Sequence, residues 1–410
     1  MTHWPATTLP YGVVRTGDGP PRPATAVGGD AIDLAGAARA GLLDGAFDDP
    51  LATLDHPTLD RLLAAGPDAW SGLRARLLDL LHDPAAADRI APLRRPLADV
   101  QPVLAWTVAD YVDFYSSRDH ARNVGRIFRP DAPQLPAAWD HLPIGYHGRA
   151  GTVVVSGTEV VRPTGLRRDR SSGEVVSGPS RHLDLEVELG WVVGVGSDLG
   201  TTVPTTAFAD HVFGAVLVND WSARDLQAFE YVPLGPFLGK SFATSVAPWI
   251  VPLAALEHAR IPPPDPPVPP AHHLAPAGDG YAIDLELAIA PDGQAGTVVA
   301  TPHAAGLRWT PAQQLAHLTS NGACLRSGDL YASGTVSGPT REERGSLLEL
   351  TWGWTEDVVV AGGSRRDGLH DGDSVIIRGT APGVDGAVVP LGEVSGRIAP
   401  AAGSDPRSDR

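Results

Sequence analysis

The run LDLEVELGWVVG, residues 183–194, alternates apolar and polar side chains with a period of two over its first half. An extended strand turns successive side chains to opposite faces, so this run predicts β structure. It sets Leu183, Leu185, Val187 and Leu189 on one face and Asp184, Glu186 and Glu188 on the other. Three carboxylates along one strand face repel one another. They require water, arginine partners or a bound cation, and an ordinary solvent-facing strand satisfies the run taken alone. Gly (46) and Pro (39) together exceed a fifth of the 410 residues, which favours many turns and short strands over long helices.

The stretch Asn219–Ser245 follows HVFGAVLV, a buried strand by its β-branched and aromatic content. Asp220 therefore stands at a strand end, where a carboxylate is both shielded and reachable. Arg224, Gln227 and Tyr231 are spaced to share one face of a helical turn. Lys240 is the only lysine; every other position among the 32 Lys and Arg residues is arginine. Lysine offers a compact point charge where arginine offers a wide planar fork. A chain that otherwise writes its cations as arginine keeps this one where a guanidinium will not serve: fixed in a small, crowded, negatively charged site.

YVDFY (111–115) alternates as a strand and puts Tyr111, Asp113 and Tyr115 on one face. SSRDHARNVG then predicts a short helix, with Ser116 and Asp119 as a capping box and Gly125 as the C-terminal stop. His120 falls in its first turn, near Asp113. Asp113, Glu186, Glu188 and Asp220 thus come from separate strands or strand ends and offer oxygen alone. Such a set selects a hard cation, Ca²⁺ or Mg²⁺, over zinc or copper.

The rest of the chain reads as scaffold. Residues 9–34 predict small strands, and residues 35–83 carry apolar residues at helical spacing. Residues 141–155 read as a turn into a strand, and residues 162–180, polar and Gly/Ser-rich, as a surface loop. The Pro-rich segment 261–280 reads as a loop joining two strands. YAIDLELAIA predicts a strand with a solvated face, TPAQQLAHLTSNGA a capped helix, and GDLYASGTVSGP a strand entering a turn. SLLELTWGW and DSVIIRG read as further strands. Cys324 is expected to be a small buried residue before a turn. A net charge of −16 without a basic cluster argues against a nucleic-acid partner. A lone cysteine forms no internal disulfide, which suits a reducing cytoplasm. No apolar run reaches membrane-spanning length, and the opening MTHWPATTLPYGV resembles no secretion signal.

The motifs NDWSARD, EYVPLGPFLGKSF, YVDFYSSRDHARNVG, LPIGYHGRA, LDLEVELG, SGTVSGP, LPYGV and GSLLELTW occur in an order that resembles the fumarylacetoacetase family over nearly the whole chain. Ala243 stands where the family pattern has Gly, and Arg122 where it has Thr. The resemblance implies a mainly β protein. A small N-terminal SH3-like barrel domain with helices would span 1–108, a C-terminal β-roll or β-sandwich catalytic domain 109–400, and a disordered tail 401–410. It implies a homodimer and metal-dependent hydrolysis of the carbon–carbon bond of 4-fumarylacetoacetate, the closing step of tyrosine and phenylalanine catabolism.

By the same resemblance, Asp113, Glu186, Glu188 and Asp220 bind the ion, with a second ion contact around Asp220, Lys240 and Thr244. A lysine ammonium cannot ligate a cation, so Lys240 would offer only its carbonyl there. His120 is the general base and Glu349 its orienting partner. Lys240, Arg224 and Gln227 hold the oxyanion, and Tyr115, Arg129, Tyr146, Gln227, Tyr231 and Thr335 hold the substrate. Two other readings stand beside this one. A shorter-chain relative acting on another oxo acid (acylpyruvate hydrolase, oxaloacetate decarboxylase, dienoate hydratase) would keep the carboxylates but lack the first domain and the YVDFYSSRDH block. A metal-stabilised β binding module leaves the unique lysine and His120 unexplained.

Overall fold

The computed structural model describes residues 2–169 and 171–403. Of the tail expected to be disordered, residues 404–410 lie outside the described residues. Among the described residues the largest sheet has 13 strands. In chain order these are β1 (Tyr11–Arg15), β2 (Arg22–Val27), β3 (Asp30–Asp33), β4 (Arg94–Pro96), β5 (Gln101–Val103), β6 (Tyr111–Phe114), β7 (Gly145–His147), β8 (Val153–Val155), β9 (Val187–Val193), β10 (Val212–Asp220), β11 (Thr244–Val246), β12 (Trp249–Pro252) and β13 (Leu330–Ala332). The hydrogen-bonded path runs β4-β3-β2-β1-β12-β10-β9-β13-β6-β7; β5 pairs with β1, and β11 joins β10 to β8.

One sheet therefore runs from the first strands of the chain into the strands that carry the acidic residues. The junction is antiparallel, with Tyr11 opposite Ile250 and Gly12 opposite Trp249. Gly12 is required there: a Cβ would lie 2.6 Å from the Trp249 ring and 2.7 Å from the Pro248 carbonyl.

Both faces of the central strands are covered. On one face Val192, Val216, Val218 and Ile250 pack with residues of α1 (Leu34–Arg39), α2 (Pro50–Leu54), α3 (Asp60–Ala64) and α4 (Pro67–His82). Leu73, Leu77 and Leu80 form the buried stripe of α4 at helical spacing. On the other face Val187, Leu189, Val193 and Leu217 pack with Leu285, Leu287, Ile377 and Val394. Those four belong to a five-stranded sheet ordered Thr297–Ala300, Asp284–Ala290, Ser374–Pro382, Val388–Ala399, Val160–Val161. The alternation of the 183–194 run is real, but its acidic face is not solvated: Leu183 through Val193 are all buried.

Three other expectations are corrected. Residues 162–180 form a hairpin, Thr164–Arg168 against Val175–Pro179. Its polar composition belongs to exposed strands and a tip where Asp169 accepts the backbone N–H groups of Ser171 and Ser172. SLLELTWGW is not a strand: Leu347–Leu350 is a helical turn, capped by the Ser346 hydroxyl, which accepts the Glu349 N–H. The following Trp352, Gly353 and Trp354 take left-handed backbone angles (φ 47°, 68° and 70°) that no strand contains. Cys324 is exposed. The Pro-rich segment does join two strands, Arg260–Ile261 and Gly280–Tyr281, which pair antiparallel. No helix among the described residues is long and apolar enough to cross a membrane.

Candidate active site

Four carboxylates converge from three strands. Asp113 lies on β6, Glu188 on β9 with Glu186 just ahead of it, and Asp220 closes β10. One oxygen from each lies within 4.8 Å of the others, and all four residues are buried. Asp113 Oδ1 and both oxygens of Glu188 receive no hydrogen bond from the described residues. An unpartnered buried carboxylate oxygen is costly, and a cation is the partner that satisfies several at once. Burial, and then the neighbouring carboxylates, push Asp113 and Glu188 well above the usual carboxylate range. Burial also raises Asp220, against the opposing pull of Lys240. Glu186 goes the other way. Burial alone would raise it, but Arg224, Lys240 and His120 together hold it below the usual range.

Two cations meet this cluster. The Lys240 ammonium donates to Asp220 Oδ2 at 2.6 Å and also to Glu186 Oε2. It is buried, and its two carboxylate partners hold its proton more tightly than usual although desolvation opposes them. Arg224 opens α6 (Arg224–Glu230, with α5 at Arg118–Phe128). Its Nη2 donates to Glu186 Oε1 at 2.7 Å and its Nε to Asp184 Oδ2 at 2.8 Å. Its Nη1 donates to Gln227 Oε1 at 3.3 Å. The hydroxyls of Tyr146 and Thr244 donate to Asp220 at 3.0 and 3.1 Å. Lys240 and Thr244 thus reach the cluster through hydrogen bonds to its carboxylates.

A second pair faces the cluster across a cavity. His120 lies in the first turn of α5, and its Nδ1 is 2.7 Å from Glu349 Oε2. The Nε2 on the far side of the ring is 3.9 Å from Glu186 Oε1. Glu349 is fully enclosed. It accepts from Asn123 Nδ2, Ser337 Oγ and Ser346 Oγ, each at 2.9 Å. Burial opposes its charge, but His120 and these donors outweigh burial and hold it below the usual range. With Glu349 ionised, Nδ1 is the nitrogen that donates to it, so in the neutral form of the ring Nε2 is the acceptor facing the cavity.

Helix α5 differs in detail from the sequence expectation. Its cap is Ser117, whose hydroxyl accepts the His120 N–H at 3.2 Å, rather than Ser116. It runs through Gly125 to Phe128. The glycine serves packing, not termination: a Cβ there would collide with the Gln134 carbonyl.

The cavity holds about 460 Å³ and is lined by, among others, Asp113, Tyr115, His120, Glu186, Lys240 and Thr335. Tyr146, Arg224, Gln227 and Tyr231 also reach it, and Thr335 Oγ1 is buried without a partner. Arg129 lines an adjoining cavity of about 260 Å³ that shares Arg224, Gln227 and Tyr231 with the first.

Two family models match the chain: the fumarylacetoacetase N-terminal model over residues 7–103, and the fumarylacetoacetate hydrolase C-terminal model over residues 110–398. The chain is 41% identical to a fumarylacetoacetase of Arabidopsis thaliana, an alignment covering 97% of this chain and 96% of the relative. This chain belongs to the fumarylacetoacetase family. The family's Homo sapiens fumarylacetoacetase is 42% identical, with the same 97% and 96% coverage. A solved fumarylacetoacetate hydrolase from Exiguobacterium antarcticum shares the fold at 14% identity, with a TM-score of 0.55 over 96% of this chain and 99% of that one. A maleylpyruvate hydrolase from Sphingobium shares it at 17% identity, with a TM-score of 0.51 over 96% of this chain and 100% of that one.

For this fumarylacetoacetase-family chain, the fold brings the sequence-predicted residues to the two joined cavities and the cluster behind them. Glu188, Asp220, Thr244 and Glu349 are not on the lining of the larger cavity, and Arg129 lines the adjoining one. Sequence reasoning did not find Asn123, Ser337 and Ser346, which hold Glu349. Only Asn123 carried a local signal, its spacing of three residues from His120 on one helix face. The sequence also gives no role to Asp184, which stands apart from the carboxylate cluster and accepts from Arg224.

Proposed function

We propose that this chain hydrolyses the carbon–carbon bond of 4-fumarylacetoacetate to fumarate and acetoacetate, the final step of tyrosine and phenylalanine breakdown, with a divalent cation bound. The observation that carries this reading is the His120–Glu349 pair set across one cavity from a buried four-carboxylate cluster. Asp113, Glu186, Glu188 and Asp220 would hold the cation. Bound there, it supplies Lewis-acid polarisation of a diketone and stabilises the carbanion left on cleavage. Lys240 answers one of the four charges, and Arg224 is shared between Glu186 and Asp184, so negative charge remains for a divalent ion. Oxygen-only donors favour Ca²⁺ or Mg²⁺.

The chain's own groups supply the rest. Nδ1–H of His120, held by Glu349, leaves Nε2 to take a proton from the attacking water. The new oxygen on the attacked carbonyl becomes an alkoxide, and Lys240 and Arg224 are the fixed positive charges beside it. Gln227 accepts from Arg224 through its oxygen, so its amide N–H groups are free to donate to the same oxyanion. When the carbon–carbon bond breaks, the proton on His120 Nε2 passes to the leaving carbon. Tyr115, Tyr146, Tyr231, Thr335 and Arg129 surround the space where the two ends of the substrate lie. The homodimeric state that the family resemblance implies and the cytoplasmic location that the lone cysteine suits belong to this proposal, and sedimentation of the purified protein checks the first.

The test is loss of fumarylacetoacetate absorbance with and without chelator. Turnover that stops on chelation and returns with Ca²⁺ or Mg²⁺ is expected. Cleavage of an acylpyruvate without any cleavage of fumarylacetoacetate would overturn the assignment.

A further inference from the structure

Asp184 is fully buried, sits in none of the cavities described above, and is saturated with donors. Its Oδ1 accepts the backbone N–H of Leu185 at 2.8 Å and of Leu347 at 2.7 Å. Its Oδ2 accepts Arg224 Nε at 2.8 Å and the backbone N–H of Leu348 at 3.2 Å. The short pairing of Leu183–Asp184 with Ser222–Ala223 fixes it in this position. One carboxylate therefore grips two separate parts of the site. One is the guanidinium that reaches Glu186 and Gln227. The other is the helical turn that presents Glu349 to His120.

We propose that Asp184 is a positioning residue that sets the spacing between the oxyanion-binding Arg224 and the His120–Glu349 pair. This rests on the catalytic reading above. Without Asp184 the guanidinium would keep Nη2 on Glu186 at 2.7 Å and the longer 3.3 Å contact from Nη1 to Gln227, a residue of its own helix. The bond through Nε to Asp184 is the one that ties the fork to the turn bearing Glu349 and fixes the aim of Nη1 at Gln227. The same carboxylate anchors the amides of Leu347 and Leu348, so the turn bearing Glu349 cannot move without moving Arg224. The proton-taking pair and the anion-holding cation are thereby kept in register, although Asp184 touches neither substrate nor water in the cavity.

The test is D184N. An amide cannot replace four accepted hydrogen bonds, since its nitrogen only donates. With wild type measured alongside, kcat should fall roughly 10- to 100-fold with KM little changed, the size typical of residues that orient ligating and catalytic groups. The R224Q and D184N/R224Q variants complete a cycle. The double variant should be less slow than the product of the two single effects, because Asp184 acts partly through Arg224. A purely structural role predicts simple multiplication and overturns the proposal, as does D184N with wild-type kcat. R224K gives an answer even if D184N does not fold. It keeps the charge but loses the Nε bond, so full turnover by R224K would also overturn it. A crystal structure of D184N in which Arg224 and Glu349 keep their places would do so whatever the activity. Absence of wild-type turnover on fumarylacetoacetate would instead overturn the catalytic reading, with the crystal structure still deciding the role of Asp184.

Discussion

His120 Nδ1 lies 2.7 Å from Glu349 Oε2 although 229 positions separate the two residues in the chain. The contact has few degrees of freedom. Ser117 caps the helix under His120, and Asn123, Ser337 and Ser346 hold the carboxylate. H120N should lower kcat by roughly 10²–10⁴ while calorimetry still finds ion binding. E349Q should cost less, because the base remains but is poorly held. Retained turnover in H120N together with its loss in E349Q would reverse the two roles.

K240R should be severely impaired although it keeps the charge. The ammonium sits between Asp220 and Glu186 in a buried space. A guanidinium there must displace one carboxylate or leave the pocket. Losing one oxyanion donor typically costs on the order of 10²–10³ in kcat. Steady-state kinetics with near-normal kcat would show that the site has no need of a point charge.

Glu188 has two unpartnered oxygens, so its substitution should separate ion binding from folding. E188Q should weaken Ca²⁺ or Mg²⁺ binding, and E186Q/E188Q should abolish it along with activity. Without ion, E188Q should melt higher than wild type, because an amide there needs neither a buried charge nor an extra proton taken up on folding. Calorimetry and thermal melts check both. An E188Q protein that binds the ion as wild type does would remove Glu188 from the ligand set.

The ion-free protein should lose stability as pH rises. Burial and neighbouring charge raise Asp113 and Glu188 well above the range they have in the unfolded chain. Over that interval the folded state binds more protons than the unfolded state, so stability falls with increasing pH. The loss starts at the ordinary carboxylate range and continues up through the raised one. Saturating cation should suppress it, since the ion takes the place of the protons. Melting temperature against pH, with chelator and with excess Ca²⁺, should give diverging curves; parallel curves would mean that these carboxylates are not ion ligands.

G125A should destabilise the chain by about 1–3 kcal/mol, the usual cost of overpacking. A Cβ at this position meets the Gln134 carbonyl, so either α5 or the following loop must shift. Because His120 lies on the same helix, kcat should fall as well. Denaturant unfolding and kinetics on one preparation read both effects.

The parts of the site legible in the sequence are those whose role follows from a local pattern. The acidic alternation exposed Glu186 and Glu188, the strand end exposed Asp220, and the unique lysine exposed Lys240. The pattern could not show that both faces of β9 are covered, because the groups that meet its acidic side chains, Asp113, Asp220, Arg224 and Lys240, come from other strands, a helix and a loop. Gly125 reads as a helix stop in isolation, and only the loop packed against it reveals another purpose. Glu349 was reachable through family resemblance alone, since LLELTW has the composition of a strand. What makes it a turn is the Ser346 cap and the amides of Leu347 and Leu348 bonded to Asp184. Such a partner lies far away in the chain and leaves no periodic trace.

The seam between β1 and β12 bears on how this chain can be divided. Tyr11 and Gly12 fill the hydrogen-bonding edge of Ile250 and Trp249, and β12 in turn pairs with the strand that ends at Asp220. Cutting the chain near residue 108 would bare that edge, along with the apolar face now under the helices, only one strand away from an ion ligand. An exposed edge of this kind is a template for pairing with other copies. The C-terminal segment made alone should be recovered as aggregate, and adding residues 1–108 as a separate polypeptide should return it to solution.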